Sequence, residues 1–396
     1  MHIGFSVLIV FFVSLLVASL IHKPVLRFAQ RHKIYDNPED RKLQRRPIPV
    51  MGGFVVFLGA IVGSTSFWLT SDCSSIVPVQ IAMLIMLGVG AYDDIKKLSP
   101  ISKFIIETLI VTALVLINNY PVNNLNGLWG VYQFSPWIAW FLTVFGCVGI
   151  INAINMIDGI DGLSSGICIM VLFFFSWWFY FNEDYVHTAL GVSILGGLIP
   201  FFVLNVFGNK SKMFIGDAGT MMLGIVICDM VLSMLTYDPG ASTRSWANKL
   251  IEPDFSRIAF ALAVLAIPIF DTIRVMLGRI CRGESPFTPD KTHLHHAFID
   301  YGFHHLETAL MEILLNVIIV IILLMLYYSH LTIQWQLISV VGANTAATFG
   351  LYYMLGRRKR ISKKVRERYG VSVIEFENLT NEERKALYEK NKKNEQ

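Results

Sequence analysis

The chain has 396 residues, 54% of them hydrophobic and only 16% charged, with a formal net charge of +4. Its apolar runs are too long for the core helices of a soluble domain, which excludes an ordinary globular protein. They are also longer and less alternating than barrel strands, so the chain is expected to be all-α and to cross a membrane many times.

Eleven apolar runs predict helices over about 3–22, 50–70, 76–92, 101–119, 136–152, 163–181, 186–206, 217–236, 256–277, 308–329 and 332–355. That corresponds to a polytopic protein with about 10–11 transmembrane helices, because roughly 20 apolar residues cross a hydrocarbon core. Pro100, Pro121 and Pro136 mark turns between runs. The first run has no basic flank before it and no small-residue cleavage pattern after it, so it reads as a first span and not as a signal peptide. Cys73, Cys147, Cys168, Cys228 and Cys281 are scattered singly with no CxxC pair, which points to packing rather than to a disulfide framework or a zinc site.

If the runs alternate across the bilayer, the loops at 23–49, 93–100, 153–162, 207–216 and 278–307, with the tail after 355, carry 28 of the 33 Lys and Arg residues. The opposite loops carry only Arg244, Lys249 and Arg257. Basic residues are retained on the cytoplasmic side, so the N-terminus is expected outside and the C-terminus in the cytoplasm. Residues 1–355 form the membrane domain, and 356–396 a charged cytoplasmic tail with no assigned chemistry.

An ionisable residue at a helix centre costs about 2.5–3.5 kcal/mol on insertion scales, so those that persist near spans mark function. Here they gather at the cytoplasmic helix ends. Asp93 and Asp94 close the third run in AYDDIKK. Neighbours on a helix point about 100° apart, which implies a division of labour between the two carboxylates. Lys97, four residues beyond Asp93, either pairs with that carboxylate or neutralises a phosphate. In NAINMIDGIDGL, Asn152 and Asn155 share a spacing of three, as do Asp158 and Asp161, and the glycines between them admit a ligand close to the backbone. One N-cap would explain one acid, not two acids and two amides. Asp217 opens a run in FIGDAGT, where it either caps a helix or holds a hard cation such as magnesium. Phe214 beside it either packs or stacks on a flat base. The segment SPFTPDKTHLHH brings His293, His295 and His296 near Arg279, Arg282 and Lys291. No zinc spacing or HExxH accompanies it, so these side chains suit a diphosphate better than a metal.

Together RPIPVMGG (46–53), AYDDIKK, NAINMIDGIDGL, FIGDAGT and RGESPFTPDKTHLHH, in this order, make the chain resemble the polyprenyl-phosphate N-acetylhexosamine-1-phosphate transferases of bacterial envelope synthesis. The resemblance covers about residues 45–296. It implies a catalytic membrane domain that moves a sugar-1-phosphate from a UDP-N-acetylhexosamine to undecaprenyl phosphate and releases UMP. The cofactor would be magnesium, with manganese as a substitute. It further implies a bacterial inner-membrane protein whose active site faces the cytoplasm, with no nucleic-acid partner, and it is compatible with a homodimer. By position it implies that Asn155 and Asp217 are the metal site. It makes Asp93 and Asp94, with Lys97, Asp158 and His293, the catalytic set. Arg45, Asp161, Phe214, Arg282, His295 and His296 would bind substrate, Asp161 and Phe214 facing the uracil. Attack proceeds either directly from the lipid phosphate or through an aspartyl intermediate.

The peptidoglycan branch of that family, which transfers phospho-MurNAc-pentapeptide, has a threonine where Val50 stands and a continuous triple histidine where this chain has HLHH. The resemblance therefore favours GlcNAc-1-phosphate transfer in lipopolysaccharide, teichoic acid or capsule synthesis. A transporter is the rival from another class, since intramembrane acids also couple ions. The midplane charges, broken helices and internal repeat it would carry are not evident in the sequence.

Overall fold

A computed structural model describes residues 3–38, 46–69, 71–125, 127–237, 254–286, 288 and 290–356. Among the described residues are thirteen α-helices: α1 (Ile3–Arg31), α2 (Gly52–Phe67), α3 (Val77–Lys96), α4 (Pro100–Asn118), α5 (Pro136–Met156), α6 (Leu163–Phe181), α7 (Tyr185–Phe207), α8 (Gly216–Leu235), α9 (Arg257–Val264), α10 (Ala266–Cys281), α11 (Leu294–Tyr301), α12 (His305–Tyr328) and α13 (Ile333–Thr345). A two-residue ribbon pairs β1 (Tyr35–Asp36) with β2 (Ile48–Pro49) antiparallel. Pro100 and Pro136 prove to be first helical residues, each preceded by a serine, because a missing N–H is harmless there. Ser99 caps α4 by accepting from the Ser102 amide at 3.1 Å.

Among the described residues every apolar run is helical, but three depart from a simple span; the run at 332–355 gives only the 13 residues of α13 before a π-helical turn at Ala346–Gly350. Eight helices among the described residues are long and apolar enough to cross a bilayer, nine if α9 and α10 count as one. The run at 50–70 yields only 16 helical residues in α2. The run at 256–277 breaks at Leu265 with a bend of 76° between α9 and α10. Pro268 is the cause, since it has no N–H for the Val264 carbonyl four residues earlier. Asn316 of α12 supplies what is missing. Its amide donates to the Ala263 and Val264 carbonyls at 2.8 Å each, and its Oδ1 accepts from the Ile267 amide at 2.9 Å.

The centre of the bundle is α8, buried almost along its whole length. Small residues let its neighbours reach its backbone. A Cβ on Gly53 of α2 would lie 2.5 Å from the Gly219 amide nitrogen, and one on Gly90 of α3 would lie 2.4 Å from the Asp217 carbonyl. The outer helices turn large apolar side chains outward, among them Leu109, Ile117, Phe141 and Phe145 on α4 and α5. In water such a surface would aggregate; in a bilayer it is the lipid face.

Candidate active site

A cleft of about 760 Å³ opens where the C-terminal ends of α3 and α5 meet the N-terminal ends of α4, α6 and α8. Its walls bring together Asp93, Asp94, Lys97, Asn155, Asp158, Asp161, Phe214, Asp217, His293, His295 and His296. Arg282 is not in the wall. It is half-exposed and bonded to Glu284 at 2.9 Å and Asp290 at 3.1 Å, whereas the buried Arg279, one helical turn earlier, lines the cleft. Arg45 and the tail from 357 lie outside the described residues.

Asp93 and Asp94 divide as the helical rotation requires. Both oxygens of Asp94 accept from the first amides of α8, those of Asp217 at 2.9 Å and Ala218 at 3.2 Å. A carboxylate there is favoured by the orphan amides and by the helix dipole. Gly216 makes the approach possible: its φ is +72°, and a Cβ would lie 2.5 Å from Asp94 Oδ2. Asp93 faces the other way, toward Lys103 at 3.1 Å, with its second oxygen taking the Leu98 amide. Lys97 does not share a helical face with Asp93, because α3 ends at Lys96 and Lys97 has left the helix with φ +56°.

Lys103 is the residue the sequence did not single out. Its ammonium lies 3.1 Å from Asp93 Oδ2, 3.3 Å from Asp217 Oδ2 and 3.4 Å from Asn155 Oδ1. The Asn155 amide in turn donates to Asp217 Oδ1 and Thr220 Oγ1 at 2.7 Å each. Two carboxylates and an amide oxygen thus converge on one cation. Among the described residues no cluster of three or more His, Cys, Asp or Glu suits a metal. The donor set nevertheless fits magnesium, which takes one or two hard protein oxygens and fills its octahedron with water and phosphate oxygens.

The loop between α5 and α6 forms the next wall. Asp158 accepts from Ser164 Oγ at 2.5 Å. Enclosure by the cleft pushes its carboxyl up to about 7, with Asp217 and Asp161 adding to the rise against the Ser164 bond. Asp161 accepts from Lys212 at 2.6 Å and pairs with His305 Nδ1 at 2.9 Å. Burial raises its carboxyl, but these two partners outweigh burial and hold it below the ordinary value. Asn205 secures the loop, accepting from the Gly162 amide at 2.9 Å and donating to the Met213 carbonyl at 3.0 Å. Phe214 is fixed through its backbone, donating to the Pro49 carbonyl and accepting from the Gly52 amide. This ties the RPIPVMGG segment to the entrance of α8.

The histidine segment closes the cleft. His295 is buried, its Nε2 has no hydrogen-bond partner, and a Cβ on Gly159 would lie 2.3 Å from that atom. Burial first, then the neighbouring histidines, lower both His295 and His296, which disfavours their charged forms. Arg279 grips Asp290 with two bonds of 3.0 and 3.2 Å, and these overcome burial to hold Asp290 down at about 2. Leu294, the apolar residue within HLHH, is wholly buried, so the segment turns three imidazoles and no fourth polar group toward the site.

The sequence profile of "Glycosyl transferase family 4" matches residues 76–235, which include Asp93, Asp94, Lys103, the α5–α6 loop and Asp217. The chain is 30% identical over 301 residues to the undecaprenyl-phosphate alpha-N-acetylglucosaminyl 1-phosphate transferase of Pasteurella multocida (strain Pm70), covering 74% of this chain and 78% of that protein. It is 28% identical over 313 residues to a probable undecaprenyl-phosphate N-acetylglucosaminyl 1-phosphate transferase of Bacillus subtilis (strain 168), covering 79% and 82%. It is 25% identical over 368 residues to the undecaprenyl-phosphate alpha-N-acetylglucosaminyl 1-phosphate transferase of Escherichia coli (strain K12), covering 87% of this chain and 92% of that protein.

Proposed function

Because the chain belongs to glycosyl transferase family 4, we propose that it transfers GlcNAc-1-phosphate from UDP-GlcNAc to undecaprenyl phosphate, releasing UMP, as the first membrane step of an envelope polysaccharide. The observation that carries this reading is the convergence of Asp93, Asp217 and Asn155 oxygens on a single cation at the helix ends. An oily acceptor and a water-soluble donor meet only at such a boundary. The excess of Lys and Arg in the loops at that end supports a site facing the cytoplasm, in a bacterial inner membrane on this reading.

Phosphoryl transfer is catalysed mainly by positioning and charge neutralisation. The lipid phosphate oxygen attacks the phosphorus that bears the sugar, the bond to the bridging oxygen breaks, and UMP leaves with that oxygen. Asp94 gives both its oxygens to the first amides of α8, which turns that carboxylate to the helix and supports direct transfer. Asp217, Asn155 and Asp93 would hold magnesium, which when bound neutralises the diphosphate. Lys103, Lys212 and Arg279 supply further positive charge along the cleft. Asp161 and Phe214 form the uracil side of the site, and His293, His295 and His296 its diphosphate and sugar side. Purified protein is expected to release UMP from UDP-GlcNAc only when undecaprenyl phosphate and a divalent cation are both present. Release from UDP-MurNAc-pentapeptide and not from UDP-GlcNAc would move the protein to the peptidoglycan branch.

A further inference from the structure

Behind the histidine segment, and outside the cleft wall, lies a buried ion pair that the transfer reaction does not touch. Asp271 of α10 is 1% exposed. Its Oδ1 accepts from Arg274 Nη2 at 2.6 Å and Nε at 3.1 Å. Its Oδ2 lies 2.8 Å from His293 Nδ1, and the Leu294 amide reaches both oxygens at 3.2 Å. Arg274 is itself locked, donating to the Thr292 carbonyl at 2.6 Å and lying 3.7 Å from the Tyr352 ring centre. The His293 ring and one backbone group on either side of it, the Thr292 carbonyl and the Leu294 amide, are therefore held from α10, just past the break at Leu265.

We infer that Asp271 is a positioning residue for transfer: its carboxylate fixes His293 Nδ1 as a hydrogen-bond donor, leaving Nε2 as the nitrogen presented to the substrate. A carboxylate only accepts, so Nδ1 must carry a proton. Nε2 then has two usable forms, a free lone pair on the neutral ring or an N–H on the charged ring, and either serves a diphosphate undergoing transfer. Arg274 matters because it offers only donors. In an Asp271→Asn protein the amide oxygen must stay on the Arg274 side, so the amide NH2 faces His293 Nδ1. Nδ1 then has to accept, the proton is driven to Nε2, and the ring keeps an N–H there but can offer neither a lone pair nor a positive charge to the substrate. The same logic underlies the loss seen when the orienting carboxylate of a catalytic triad becomes an amide.

This inference rests on the proposed transferase activity, and the test separates the two. UMP release is measured for wild type, Asp271→Asn, His293→Gln and their double variant, with UDP-GlcNAc and undecaprenyl phosphate in excess magnesium. Asp271→Asn is expected to lower kcat on the order of 100-fold while KM for UDP-GlcNAc stays within about twofold, the signature of an interaction made in the transition state. In the His293→Gln background the same change is expected to do nothing, since its effect runs through the ring. A neutral pair, Asp271→Asn with Arg274→Gln, lets the amide turn its oxygen back to Nδ1 and is expected to recover about tenfold over Asp271→Asn alone. A kcat near wild type in Asp271→Asn, or an equal loss in both backgrounds, overturns the inference and leaves the transferase reading standing. If Asp271→Asn does not fold, the neutral pair decides: activity about tenfold above His293→Gln supports the inference, and activity no higher overturns it. Wild-type protein inert toward every UDP-N-acetylhexosamine overturns the transferase reading and the inference with it.

Discussion

Replacing Lys103 by Met removes the ammonium on which three oxygens converge and leaves its apolar stem in place. The Lys103 side chain is 14% exposed, Asp93 8% and Asp217 29%, so the contacts are partly screened. Removing one partner of a buried pair costs about 3–5 kcal/mol, and the exposure of Asp217 puts the expected loss near the lower end, about 3 kcal/mol. For a chain of this size that corresponds to a fall in Tm of about 4 °C. The assay is thermal unfolding in detergent, first with a chelator and then with magnesium. In chelator the variant should melt lower than wild type. On adding magnesium it should gain more than wild type, because the bound cation stabilises by mass action and no longer competes with the ammonium for the same oxygens. A variant as stable as wild type in chelator, or one gaining no more from magnesium, would refute the assignment of these oxygens to a divalent cation.

Other consequences are as specific. Gly90→Ala places a methyl 2.4 Å from the Asp217 backbone oxygen, so it should push α3 off α8, pull Asp94 from its amides and lower turnover at least about tenfold in the UMP assay. Asp158→Asn should stabilise the protein more at about pH 8 than at about pH 5, the difference vanishing only below the ordinary carboxylate range. The sign follows because a carboxyl raised to about 7 in the fold binds protons better folded than unfolded, so its ionisation on raising the pH disfavours the fold. Unfolding curves of both proteins at the two pH values check it. Asn316→Leu removes all three bonds across the α9–α10 break and should destabilise by about 3 kcal/mol, visible as a lowered Tm with or without magnesium.

Much of the fold was legible because lipid imposes one rule on every span: long apolar runs become helices, and α6 begins and ends where its run does. The break at Leu265 was less legible. Pro268 signals it, but what makes it tolerable is Asn316, a residue 51 positions from Leu265 in another helix. The site residues crowded into dense motifs were legible for the same reason that they are dense, since several must reach one cleft from neighbouring helix ends. Lys103 was not. It stands in the first turn of a span, where a basic residue is ordinarily explained by topology, and only the fold shows Asp93, Asn155 and Asp217 around it. Asp94 likewise looks equivalent to Asp93 in sequence, and its work as the cap of α8 depends on a helix more than 120 residues later. Lys212 and His305 carry no motif of their own; they matter because Asp161 ends between them. Arg282 and Arg279 differ by a single helical turn, enough to put one outside the cleft and the other in its wall.

The most direct test of the central claim is UMP release by the purified protein with each UDP-N-acetylhexosamine, run with and without undecaprenyl phosphate and divalent cation, beside a solute-uptake assay in liposomes. UMP release from UDP-GlcNAc that requires both additions, together with a glycolipid carrying GlcNAc through a diphosphate, is the predicted result. No UMP from any donor, together with accumulation of a solute by the liposomes, would contradict it.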